Sequence, residues 1–175
     1  MRSQLQDAEL EISITFELTS IFDHTIYAAF SKVVQKLFPF VDHIKNLLDH
    51  LISCCKIEKA FVFDLLSKIF IASDSGPIDI SHYEICSELI DVLIDVSCIF
   101  SESPKFDENC TTIKLRTGDD EQGNTYLYLR EVDESLALVC LIQEVEFEKR
   151  HLINYNIDQI KLGLKELFKT AGTSK

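Results

Sequence analysis

The segment from about Asp79 to Cys98 constrains the fold more than any other part of the chain. Its acidic residues, Glu84, Glu88, Asp91 and Asp95, recur at steps of four, three and four, so on a helix they form one narrow stripe. Almost everything else there is apolar: Tyr83, Ile85, Cys86, Leu89, Ile90, Val92, Leu93, Ile94 and Val96. A helix covering one side of a sheet needs only about a third of its circumference apolar, and this one has roughly two-thirds. It is therefore expected to bury two faces, one on its own sheet and one on something else. Ser81 and Glu84 have the S-x-x-E spacing of a capping box at its start. Either the helix is enclosed within a larger single domain or its second face meets a partner. In a chain of 175 residues few elements remain to enclose it, which favours the partner.

Upstream, Ile12, Ile14, Phe16 and Leu18 alternate with Ser13, Thr15 and Glu17, the period of a half-buried strand. Asp23 is placed to cap a helix from His24 to about Phe38, with Ile26, Phe30, Val33, Val34 and Leu37 as its buried stripe and Pro39 ending it. One strand and one helix cannot bury their own apolar faces. Residues 1–39 therefore read as part of a larger domain or as an appendage packed on its neighbour, with the boundary at Pro39-Phe40.

Residues 40–170 read as one domain, followed by a short disordered tail at 171–175. Val41, Ile44, Leu47, Leu48, Leu51 and Ile52 share a helix face. Strands are expected at Lys59 to Leu65 and Lys68 to Ala72, then a loop at Ser73-Asp74-Ser75-Gly76-Pro77 and the two-faced helix. In Thr111 to Thr117, Ile113 and Leu115 alternate with Thr112, Lys114 and Arg116, the pattern of an exposed or edge strand. Thr125 to Val132 follows. Leu136 to Ile142 is apolar throughout, as in a central strand covered on both faces. A last helix is expected from Glu146 to Lys169. The order from residue 41 is helix, two strands, helix, three strands, helix. The fold class is thus α/β in three layers, a five-stranded antiparallel sheet with helices on both faces.

Chemistry narrows by exclusion. The net charge of -12 argues against nucleic acid, whose phosphates need clustered Lys and Arg, and against adsorption to anionic membranes. The longest apolar run, Leu136 to Ile142, is too short to span a bilayer, and the polar first ten residues are no signal peptide. Six cysteines form no C-x-x-C, and the vicinal Cys54-Cys55 pair suits no ordinary zinc site, so a reduced, cytosolic protein is expected. The five histidines are scattered, and His43 and His50, seven apart, stand too far apart on a helix to share a metal. Asp119-Asp120-Glu121 lacks the spacing of a calcium loop. The five glycines give no phosphate loop, and neither G-x-S-x-G nor H-E-x-x-H occurs. No catalytic constellation is expected.

Several blocks resemble one family. Leu18-Thr19-Ser20-Ile21-Phe22-Asp23-His24 with Ala29 to Leu37 is similar to the end of the GTPase domain in Rag C/D-type subunits. Ile57 to Asp64, Ser67 to Ser75, Ile90 to Ile99, Leu136 to Cys140 and Leu152 to Asn156 resemble blocks of the same family's C-terminal roadblock domain. The resemblance covers nearly the whole chain and favours the C/D branch over A/B. It implies a roadblock or longin-like, profilin-like fold, with residues 1–39 as the last strand and helix of a Ras-like GTPase domain. It also implies a non-catalytic heterodimerisation module that pairs with a Rag A/B-type subunit. The pair docks on the Ragulator scaffold at the lysosomal or vacuolar membrane, in amino-acid signalling to the TOR kinase complex. The implied pairing elements are the third strand and the long middle helix, with Tyr83, Cys86, Ile90, Leu93, Ile94, Thr111, Ile113, Leu115 and Thr117 as contacts.

Thr19-Ser20-Ile21 matches the family's guanine-side loop, but the phosphate loop, switches and N-K-x-D motif are absent from this sequence. No nucleotide cofactor is expected in this chain; GTP or GDP with magnesium belongs to the full-length family. The chain is then a piece of a longer protein or a truncated paralogue. The alternative is another roadblock or longin-type homodimeric scaffold, in trafficking or dynein-related assemblies. The strand-helix segment before Pro39 argues against it.

Overall fold

A computed structural model describes residues 15–22, 25–100, 111–115, 124–133 and 135–172. The elements are α1 (Thr25–Leu37), α2 (Val41–Cys55), β1 (Lys59–Asp64), β2 (Phe70–Ser73), α3 (Ile80–Phe100), β3 (Thr111–Leu115), β4 (Thr125–Asp133), β5 (Leu136–Gln143), α4 (Glu144–Phe147) and α5 (Arg150–Gly172). The strands form one antiparallel sheet in the order β2-β1-β5-β4-β3. Strand β5 is central, and seven of its eight residues are buried. That is the physical meaning of its unbroken apolar run: with a layer on each face, neither side of the strand meets water.

The period of two sorts the sheet into two cores. Ala60, Val62, Leu138, Cys140 and Ile142 meet Ile44, Leu48 and Leu51 of α2 and Ile153, Ile157 and Leu164 of α5. Phe61, Phe63, Leu127, Val139 and Leu141 meet Tyr83, Cys86, Leu89 and Ile90 of α3. The result is the expected three-layer fold.

Four local expectations need correction. The strand expected at 12–18 lies partly outside the described residues, and 15–18 is not a strand. Among the described residues no neighbouring strand is there to bond it, and Leu18 is almost fully exposed. On α1 the apolar stripe is not buried. Phe30, Val33 and Leu37 are exposed, and the residue turned inward is Ser31, whose hydroxyl accepts the Phe70 amide at 3.2 Å and donates to the Tyr27 carbonyl at 2.9 Å. The expected cap Asp23 lies outside the described residues. The last helix is two: α4 stops at Phe147, a turn follows, and α5 runs from Arg150 through Gly172, so Ala171 and Gly172, expected in the tail, are helical. The start of α3 is capped not by Ser81 but by Asp79, whose Oδ1 accepts the Ser81 amide at 3.1 Å. That hydrogen bond holds the Asp79 carboxyl below the usual carboxylate range.

The loop that delivers α3 is built on a buried ion pair. Lys59, the first residue of β1, and Asp74, just after β2, have side chains only 4% and 5% exposed, 2.8 Å apart. The Lys59 ammonium also donates to the Gly76 carbonyl at 2.8 Å, while Asp74 accepts the amides of Ala60 at 3.2 Å and Gly76 at 2.9 Å. A Cβ on residue 76 would stand 2.7 Å from Asp74 Oδ2, so the carboxylate fits only against glycine. Outside, Asp49 of α2 accepts the Ser75 amide at 2.8 Å and hydroxyl at 2.6 Å. Replacing Asp74 by Ala strands a buried ammonium, which costs about 3–5 kcal/mol. Urea unfolding of Asp74→Ala followed by circular dichroism should show a loss of that size; a loss below about 1 kcal/mol would contradict this account.

Candidate pairing surface

Helix α3 has two apolar faces, as its composition requires, and three of the residues expected at a partner lie on the inner one. Tyr83, Cys86 and Ile90 are fully buried on their own sheet. Tyr83 stacks on Phe63 with centroids 5.8 Å apart and meets Phe70 at 5.7 Å; its hydroxyl donates to the Lys68 carbonyl at 2.9 Å. Burial pushes the Tyr83 phenol and the Cys86 thiol each up to about 12, so both stay neutral. These three belong to the core and are not available as partner contacts. Tyr83 fills the space over Phe63 and Phe70, and apolar content alone does not reveal which of two apolar faces turns inward.

The outward face is a ridge of aliphatics. Val92, Val96 and Ile99, spaced by four and three, are 53%, 45% and 73% exposed. Half-buried Ile85 continues the ridge one heptad earlier. Leu93 and Ile94, expected contacts, are intermediate and pack against the core beneath. The expectation missed Val92, Val96 and Ile99 as surface residues. A helical wheel that puts Tyr83 at the centre of the inward face would have found them, since they lie nearly opposite.

The acidic row sits beside this ridge. Asp91 pairs with Lys68 in the β1-β2 turn, which turns the row toward the β2 side of the helix. Buried Leu89 and half-buried Leu93 lie on the opposite flank, toward the β4 and β3 side, in one core with Ile113 and Leu115.

Strand β3 forms the end of the sheet and bonds only to β4 among the described residues. Thr111, Ile113 and Leu115 are half-buried, and Thr112 and Lys114 are exposed, the alternation of an edge strand. Thr117, an expected contact, lies outside the described residues. Ile113 and Leu115 of this edge strand pack on the same core as Leu93 and Ile94 of α3. The β2 edge is different: α1 lies along it, and Ser31 occupies the Phe70 amide.

Thr19, Ser20 and Ile21 stand apart, in an irregular segment before α1. The Ser20 amide donates to Thr25 Oγ1 at 2.9 Å, and the Ser20 hydroxyl accepts the Phe22 amide at 3.1 Å. No cluster of three His, Cys, Asp or Glu able to hold a metal occurs among the described residues, and no described helix is long and apolar enough to cross a membrane.

Residues 1–90 match the family profile of the Gtr1/RagA G protein conserved region. The chain is 48% identical to Ras-related GTP-binding protein C of Homo sapiens over 97% of its own length and 43% of that protein's. It is 40% identical to GTP-binding protein gtr2 of Schizosaccharomyces pombe, covering 95% of this chain and 54% of the relative. It thus spans roughly half or less of those relatives' length. Among solved structures, Myxococcus xanthus MglB superposes with a TM-score of 0.55 at 15% identity, covering 76% of this chain and 92% of that one. A Roadblock/LC7 domain from Streptomyces avermitilis gives 0.51 at 9% identity, covering 71% and 97%. At such identities the likeness is one of fold, and the fold is the roadblock type.

If Tyr83 is a core residue, Tyr83→Phe should cost about 1 kcal/mol, by leaving the Lys68 carbonyl short of a donor. Its thermal midpoint should fall while its self-association, measured by light scattering, stays as in the parent. A change in association without a change in midpoint would return Tyr83 to the surface.

Proposed function

Because the chain belongs to the Gtr1/RagA family of G proteins, on its Rag C/D branch, we propose that it is the pairing and docking part of such a subunit and catalyses nothing itself. Residues 40–170 act as the dimerisation domain, and residues 1–39 are the tail of the GTPase domain. The partner is a Rag A/B-type subunit. The pair docks on the Ragulator scaffold at the lysosomal or vacuolar surface, and through it the full-length dimer signals amino-acid sufficiency to the TOR kinase complex. GTP or GDP with magnesium is bound by the full-length protein. Here Thr19, Ser20 and Ile21 would face only the guanine side, and this chain alone turns over no GTP.

The observation that carries this reading is the asymmetry of the sheet. One edge is covered by α1, while among the described residues the other, β3, has no neighbour beyond β4, and helix α3 carries an exposed aliphatic ridge. A second sheet added edge to edge at β3 would supply hydrogen-bond partners to the free strand and a second helix to cover the ridge. The exposed stripe of α1, Phe30, Val33 and Leu37, has a parallel explanation as the face that meets the rest of the GTPase domain. Of the expected contacts the reading keeps Leu93, Ile94, Thr111, Ile113, Leu115 and Thr117, and adds Val92, Val96 and Ile99.

The test is mass by light scattering, alone and mixed with the roadblock domain of an A/B-type subunit. A one-to-one complex that displaces any self-association is expected. A monomer indifferent to that partner would sink the reading, and a tight homodimer that persists in the mixture would favour a homodimeric scaffold instead. Val96→Asp sharpens it. At a half-exposed site the monomer should keep its unfolding midpoint, yet an unpaired charge buried at the interface should weaken pairing by on the order of a hundredfold. Unfolding of the monomer would instead mean that the ridge is internal.

A further inference from the structure

The exposed middle of β3 carries a lysine, and a lysine on an edge strand ordinarily guards that edge. Its ammonium reaches past the last backbone, and an incoming strand must desolvate it. Lys114 does not stand that way. Its ammonium lies 2.5 Å from Glu144 Oε1 and 5.5 Å from the ring centroid of Tyr126, the residue opposite it on β4. The side chain is folded back across its own sheet, on the face of α2 and α5.

Glu144 is held in place to receive it. It opens the short helix α4, and its amide donates to the Asn124 carbonyl at 2.9 Å. Asn124 Nδ2 donates to Oε2 at 2.6 Å, and the Tyr126 hydroxyl reaches Oε1 at 3.4 Å. The Tyr126 ring stacks on Phe147, at the other end of α4, with centroids 4.2 Å apart and planes 10° from parallel. The carboxylate thus ties the ends of β3, β4 and β5 together. The hydrogen bond from Lys114 holds Glu144 below the usual carboxylate range, and the same bond holds Lys114 above the usual lysine range.

We infer that Glu144 holds Lys114 back over its own sheet and so keeps the β3 edge open to an incoming strand, which makes Glu144 a positioning residue for pairing. This rests on the proposed use of that edge by an A/B-type partner. Freed from Glu144, the ammonium swings to the edge and the guard returns. Restraint of one side chain thereby converts a strand that would refuse partners into one that accepts them.

The experiment titrates the 175-residue chain, and its variants, with the roadblock domain of an A/B-type subunit by calorimetry. Glu144→Ala should bind on the order of tenfold more weakly than the parent at a temperature where circular dichroism shows both folded. The double variant Glu144→Ala/Lys114→Thr should regain most of that loss, because no lysine is left to guard the edge. Glu144→Gln, which keeps the size of the side chain, should weaken binding in the same direction if the alanine variant does not fold. Unchanged affinity in the Glu144 variants would overturn the inference. So would a double variant as weak as Glu144→Ala, since Glu144 would then act through the fold alone. A parent chain that does not bind at all would sink the pairing reading itself, and this inference with it.

Discussion

The Lys59–Asp74 ion pair is the interaction on which the rest of the architecture turns. It closes the point where β1 begins, β2 ends and the chain leaves the sheet toward α3. An ammonium and a carboxylate so deeply buried are costly unless their remaining hydrogen-bonding capacity is used. Here it is used, by the amides of Ala60 and Gly76 and the carbonyl of Gly76. The backbone of the loop is therefore folded around the pair, and Asp79 then caps the helix whose two faces define the molecule. A hydrophobic substitute of equal volume could fill the space, but it could not bond three backbone groups and thus fix the path of the loop.

The second constraint is the edge problem of any open sheet. A five-stranded sheet with layers on both faces still exposes the outer backbone of its first and last strands. At β2 the chain solves this with its own helix. Ser31 is the only buried residue of α1, and it is buried because its hydroxyl serves the Phe70 amide. Phe38, just past α1, meets Phe168 of α5 edge to face at 6.5 Å and ties the same helix to the layer of α2 and α5. Helix α1 thus turns Ser31, and not its apolar stripe, toward the sheet edge. At β3 the chain supplies no such cover among the described residues.

Much of this was legible in the sequence, and the failures share a cause. The order of elements, the edge character of β3 and the central place of β5 all follow from periodicity, because a period of two or a continuous apolar run reports burial directly. The two-faced nature of α3 was legible for the same reason. Which face goes inward was not: both faces are largely apolar, and it is the packing of Tyr83 on Phe63 and Phe70 that turns its face inward. The α1 stripe misled because periodicity says that a face is apolar, not that its partner is present. The Lys59–Asp74 pair was invisible because its members lie fifteen residues apart and meet only through the hairpin. The split between α4 and α5 leaves no proline or glycine to announce it; Glu144 and Tyr126 fix α4 through side-chain contacts that no spacing rule reports.

The energetics of pairing explain why the two halves of the surface must act together. Burying one aliphatic side chain yields about 1.5–3 kcal/mol, and the ridge offers chiefly Val92, Val96 and Ile99, already half covered in part. Association costs on the order of 4–15 kcal/mol before any contact counts. The ridge alone therefore falls near the margin. In the proposed pairing, strand addition at β3 would supply the missing part through main-chain hydrogen bonds, but a strand gives them only if its edge is straight and unguarded. A weak ridge beside a conditional edge makes a surface that ignores casual apolar contact and responds to a partner offering strand and helix together. Selectivity of this kind follows from making neither element sufficient.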